Sequence, residues 1–264
     1  MTARTGVVAG GVLHDQRRSL IWWSLAVAAV TTMYTSFYPT IGATKFEVML
    51  DAMPAFARAM GFDAMVSAAG YINMTVFSLL GAILVLTFAI GAGARMIAGD
   101  EESGVLELDL AASVSRTHVY RERLAVLWLT VGLLVLSICA MLLVLSAALD
   151  LELAVANVVA AGTSLIVFTG TLGTLAYGVG AATGRRAHGL GAASGLAVTA
   201  YLFSYIGPLI DAPWMETVSP FSWYVGNDPL VNGFDWGGLA LLAALAVAAA
   251  VAGLWRFGRR DLKV

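Results

Sequence analysis

The stretch from Arg95 to Arg123, RMIAGDEESGVLELDLAASVSRTHVYRER, is a polar island in an otherwise apolar chain. Its 29 positions hold ten of the 32 Asp, Glu, Lys and Arg residues, and long apolar runs flank it on both sides. A charge at the centre of a bilayer costs about 2.5–3.5 kcal/mol even on the mildest scale, so a stretch this polar belongs in water.

The composition outside the island demands a membrane. The chain is 59% apolar and 12% charged, against about 25% charged for soluble domains. Six apolar runs are visible: Ser19–Tyr38, Ile72–Ala94, Leu124–Leu149, Ala154–Thr183, Gly189–Ile210 and Gly237–Phe257. Each reaches the roughly 20 residues that cross a ~30 Å hydrocarbon core. Lipid offers no partner to unpaired backbone groups, so the spans are helices. The expected fold is therefore all-α: one polytopic membrane domain over residues 1–264, with the stretch 95–123 as its main polar loop. No cleavable signal peptide is expected, because Tyr34, Phe37 and Tyr38 stand where a small-residue cleavage site is needed. Residues 1–18 are too short to span; a surface helix and a disordered tail are both open.

The cations set the orientation. Arg4, Arg17, Arg18, Arg95, Arg116, Arg121, Arg123, Arg185, Arg186, Arg256, Arg259, Arg260 and Lys263 fall on one side, and only Lys45 and Arg58 on the other. The positive-inside rule then puts both termini and the polar island in the cytoplasm. Trp22, Trp23, Trp128 and Trp255 at the inner ends, with Trp214, Trp223 and Trp236 outside, read as two aromatic belts.

Two outer segments exceed simple turns. Phe46, Met49, Leu50, Met53, Phe56 and Met60 recur at helical spacing among charged residues, which predicts an amphipathic interfacial helix. The segment from Asp211 to Trp236, with three prolines and three tryptophans, reads as a short re-entrant or interfacial element. Gly180 and Gly184, and Gly191 and Gly195, have GxxxG spacing suited to close helix packing, within one subunit or between two copies.

Several chemistries are disfavoured. The spans carry almost no ionisable group, which argues against ion-coupled carriers and charged selectivity rings. His14, His118 and His188 are scattered and Cys139 is alone, so no metal site, catalytic residue or disulfide is expected. No basic block suggests nucleic acid. There is no GxxxxGK[ST] phosphate loop, so any ATP used must be bound by another polypeptide. Asp100, Glu101 and Glu102 are adjacent, but successive helical residues point about 100° apart and do not converge on one divalent ion.

Within the island, Asp100–Glu101–Glu102 would sit favourably at a helix N-terminus. Gly104 follows, then apolar residues, then a break at Ser113–Arg116. The run Ala98-Gly-Asp-Glu-Glu102-Ser-Gly104-Val-Leu-Glu107-Leu with Ser115-Arg116 resembles the cytoplasmic loop of type 2 ABC-transporter permeases. Ser219-Pro220-Phe221 and Phe257-Gly-Arg259-Arg260-Asp261-Leu262 resemble the family's outer and C-terminal motifs. Asp109 and Ser113 depart from the family pattern, where an apolar residue and a proline are usual.

That resemblance implies a membrane-spanning subunit of an ATP-binding-cassette exporter in the cell (cytoplasmic or inner) membrane. It implies a lipophilic or amphipathic substrate such as a drug, antibiotic or lipid, and no cofactor on this chain. ATP and magnesium would be bound by a separate ATPase subunit, and a second copy or a paralogous permease would complete the path. The implied ATPase contact set is Glu101, Glu102, Gly104, Leu106, Leu108, Leu110, Ser115 and Arg116. A membrane-embedded lipid or prenyl transferase and a non-catalytic assembly partner are the other readings.

Overall fold

The computed structural model describes residues 7–41, 62–104 and 115–260. The expected outer helix at residues 46–60, the loop residues Leu106, Leu108, Asp109, Leu110 and Ser113, and the terminal residues Asp261 and Leu262 lie outside them. The described residues form helices and turns with no strand, and six helices are long and apolar enough to cross a membrane. They are span 1 (Val7–Ile41), span 2 (Ala68–Met96), span 3 (Arg116–Ala148), span 4 (Val155–Thr183), span 5 (Arg186–Leu209) and span 6 (Trp236–Arg259). Tyr38 near the end of span 1 donates to the Val66 carbonyl at 2.6 Å. This pins the span 1–span 2 connection to the end opposite Arg95.

Spans 1 and 3 overrun the expected limits. No proline interrupts residues 7–38, so the helix that forms span 1 begins at Val7 and absorbs the N-terminal segment. Span 3 starts eight residues earlier than its apolar run, because Ser115 caps it by accepting the His118 N–H. At 1.5 Å per residue its 33 residues reach about 50 Å, so its first turns stand clear of a bilayer. Arg116, Tyr120 and Arg123 are thereby helical, and Trp128 lies three turns in, donating to Thr174 Oγ1 at 3.1 Å. Span 2 contains a π-helical segment, Asn73–Leu80, which periodicity alone did not signal.

Span 4 is the core, packed against spans 2, 3, 5 and 6. In a membrane, association rests on close backbone approach rather than on expelling water. The chain provides this at glycines outside the GxxxG pairs. A Cβ on Gly93 would fall 2.2 Å from the Gly173 carbonyl oxygen, and one on Gly253 would fall 2.5 Å from Gly178 Cα. Span 1 packs mainly on span 3.

The segment between spans 5 and 6 folds back as three short helices, Pro213–Val218, Pro220–Val225 and Pro229–Asn232, each opened by proline at its first turn. The middle one packs inward with Pro220, Phe221 and Tyr224 buried. Ser219 caps it and also donates to the Ala200 carbonyl at 2.7 Å, Tyr224 donates to the Phe77 carbonyl at 2.7 Å, and the Tyr224 ring stacks on Phe168 at 4.7 Å. Trp22 and Trp255 at one end, and Trp214 and Trp236 at the other, are exposed as interfacial belts require.

Candidate coupling interface and groove

Immediately after span 2, buried Ile97 turns the chain into a five-residue helix, Ala98–Glu102. Its three acids diverge around the helix and each meets a different element. Asp100 pairs with Arg123 of span 3 at 2.6 Å. Glu101 receives both terminal nitrogens of Arg260, just past span 6, with Nη1–Oε1 at 2.6 Å. Glu102 Oε1 accepts the backbone N–H of Arg186, the first residue of span 5, at 2.9 Å.

The Arg260–Glu101 pair is deeply enclosed: the side chains are 10% and 5% exposed. Arg260 Nε also donates to the Ala181 carbonyl of span 4 at 2.7 Å, and its own carbonyl accepts from Arg116 Nη1 at 2.9 Å. A buried ion pair persists only with such extra hydrogen bonds, since desolvation otherwise outweighs the attraction. Gly184 makes the room. It ends span 4 in the left-handed region at φ +66°, and a Cβ there would lie 2.7 Å from Arg260 Nη1 and 2.8 Å from Glu101 Oε1. Arg123, 1% exposed, also donates to the Met96 carbonyl. Beneath this layer the Tyr120 and Tyr177 rings meet at 4.7 Å, and their hydroxyls donate to the Ala250 and Tyr120 carbonyls at 2.9 and 2.7 Å.

The residues expected to face a partner therefore divide. Glu101 and Arg116 are turned into the intramolecular clamp. Glu102, Gly104 and Ser115 are exposed at its rim, and Gly104 turns the chain at φ +76°. Of the packing glycines, Gly180 abuts Ala94 and Ala98, Gly184 serves the clamp, and Gly191 and Gly195 meet nothing within 4 Å among the described residues. Arg260 was visible in the C-terminal motif, but its partner was not: nothing in the spacing of residues 101 and 260 pairs them.

A second feature is a cavity of about 500 Å³ between spans 2 and 5, lined at its ends and walls by Ser78, Ile83, Gly91, Leu190, Ser194 and Tyr201 and backed by Phe168 and Phe221. Its surface is predominantly apolar, and the Thr87 hydroxyl at its edge is spent on the Ile83 carbonyl at 2.7 Å. The exposed face of span 5 with Gly191 and Gly195 borders it.

Residues 8–258 match the family model described as multidrug efflux system permease Rv1217c, C-terminal domain. The chain belongs to this efflux permease family. The match runs from span 1 to the end of span 6 and so takes in the clamp's acids, Arg123 and the groove. A search of curated proteins returned no match. Membership and six membrane-crossing helices make the chain a multi-pass membrane permease, a transporter subunit rather than an enzyme.

Proposed function

We propose that this permease is the membrane-spanning subunit of an ATP-driven exporter in the cytoplasmic membrane, with its arginine-rich end inside the cell. A separate ATPase pair would dock on the loop after Glu102, and its closure would move the Ala98–Glu102 helix. The observation that carries this reading is the clamp: the short Ala98–Glu102 helix that leads into the polar loop is joined by ion pairs and hydrogen bonds to spans 3, 5 and the end of span 6, which is what a lever between a docked partner and a helix bundle requires. Two copies would face each other across spans 2 and 5, with Gly191 and Gly195 at the contact and the apolar groove as part of the path for a lipophilic or amphipathic substrate. The transferase reading is weakened because Asp100, Glu101 and Glu102 are each committed to a protein donor and not directed at a common metal.

The test is co-purification from native membranes with an ATPase subunit and ATP-dependent transport by the pair in proteoliposomes. Glu102→Lys with Leu106→Asp should abolish transport while leaving expression of the permease intact. Normal assembly and turnover with both changes would overturn the coupling role, as would tight ATP binding by the isolated chain.

A further inference from the structure

Resting on that reading of the groove, we infer that its arginine-rich mouth selects amphiphiles with an anionic headgroup, held between Arg95 of span 2 and Arg186 of span 5 while the apolar body lies in the groove. Arg95 stands one turn beyond Gly91, and Arg186 one turn before Leu190, and both Gly91 and Leu190 line the groove at this end. Residues four apart share a helix face, so the two arginines continue its two walls. Both are exposed, and their guanidinium groups are near enough to repel one another.

The nearby acids form no ion pair with either guanidinium, although Glu102 lies against the Arg186 backbone. Asp100 is held by Arg123, Glu101 by Arg260, and the Glu102 oxygen by the backbone of Arg186. Among the described residues no carboxylate pairs with either guanidinium. Arg123 and Arg260, at the same end, each already hold a carboxylate and a backbone carbonyl. Two like charges facing each other at the foot of an apolar slot are the complement of a carboxylate, phosphate or sulfonate bearing a hydrocarbon body.

The opposite end decides the sign. Asp150, Glu152, Asp211, Glu216, Asp228 and Asp235 lie there, with no Lys or Arg among the described residues of that end. An anion is attracted where it enters and repelled where it leaves, whereas a cation would meet the reverse.

The experiment uses the full chain in nanodiscs of zwitterionic phosphatidylcholine, titrated with a dansyl-labelled fatty acid and with a quaternary-ammonium amphiphile of the same label and chain length. The anionic probe should bind more tightly, and Arg95→Gln with Arg186→Gln should weaken it by about ten-fold or more, the loss of charge-assisted hydrogen bonds. Arg121→Gln, an exposed arginine away from the groove, should leave binding unchanged. Arg95→Lys with Arg186→Lys, which keeps both charges, should retain most of it and serves if the glutamine pair fails to fold. Inorganic phosphate should not compete at concentrations where unlabelled fatty acid does; if it does, the site is for free anions and the amphiphile assignment is overturned. Preference for the cationic probe, or an equal loss with Arg121→Gln, also overturns it. No ATPase is needed, so anionic binding without any ATP-driven transport would defeat the exporter reading alone. Transport of every substrate unaffected by the glutamine pair would defeat this inference alone.

Discussion

Breaking the Arg260–Glu101 pair from either side should give unequal losses. Arg260→Gln removes both bonds to Glu101 and the bond to the Ala181 carbonyl, and takes the guanidinium away from a carboxylate that is 5% exposed. Leaving a buried charge unpaired costs about 3–5 kcal/mol. Glu101→Gln is milder. The amide oxygen can still accept one bond and Arg260 keeps the Ala181 carbonyl and the Phe257 ring, so although the guanidinium loses its counter-charge the loss should be nearer that of one charge-assisted hydrogen bond, about 1.5–3 kcal/mol. The double variant Glu101→Gln with Arg260→Gln has no stranded charge, so its loss should fall short of the summed singles by at least about 1.5 kcal/mol. Gly184→Ala attacks the same pair sterically. It adds the left-handed backbone penalty of about 1–2 kcal/mol and places a methyl group against Arg260 Nη1 and Glu101 Oε1. The assay is reversible unfolding of the purified permease in mixed micelles of rising SDS fraction, followed by tryptophan fluorescence. Single variants within about 0.5 kcal/mol of the parent, with an additive double, would refute the clamp as a stabilising and orienting device.

Three further outcomes follow from the packing. Gly253→Val should cost about 1–3 kcal/mol or more by forcing spans 4 and 6 apart, since the Cβ alone would stand 2.5 Å from Gly178 Cα; SDS unfolding checks this. Tyr224→Phe should cost about 1–3 kcal/mol by stranding the buried Phe77 carbonyl, and should loosen the re-entrant helix, read by hydrogen exchange over residues 219–226. Gly191→Phe with Gly195→Phe should leave monomer unfolding unchanged, because nothing among the described residues lies within 4 Å, but should abolish pairing of copies in a cross-linking assay in membranes.

Much of the architecture was legible from residues alone, because a membrane forces polar backbone groups into helices and turns apolar length into span count. The six spans appear where the apolar runs lie, and the Asp211–Trp236 segment forms short helices that each open on one of its prolines. The ends of the spans were less legible. Arg116, Tyr120 and Arg123 were placed outside span 3 because hydropathy stops at Leu124, yet the Ser115 cap starts the helix at Arg116. The clamp was hidden for a different reason. Residues 101 and 260 are joined only through the tertiary fold, so Glu101 read as partner-facing while its carboxylate is turned inward. The glycine pattern was incomplete in a similar way: Gly180 abuts Ala94 and Ala98, but Gly93–Gly173 and Gly178–Gly253 also make close crossings, and spacing within one helix carries no information about pairs drawn from two.

The order of the three acids gives the clamp a mechanical sense. Asp100, Glu101 and Glu102 advance about 100° each, so one short helix reaches span 3, the end of span 6 and the start of span 5. The Glu101–Arg260 tie is a buried ion pair with further hydrogen bonds, the Asp100–Arg123 tie joins a half-exposed carboxylate to a fully buried guanidinium, and the third is one exposed bond from a backbone N–H to Glu102. Exposed bonds are exchanged for water at little cost, whereas breaking the buried ones strands charge. A displacement of the helix should therefore carry spans 3 and 6 with it and yield first at span 5. Span 2 is attached covalently through Ile97 and follows the helix. The groove lies between spans 2 and 5, so the weakest tie falls on the one wall that must separate from the other if the groove is to widen.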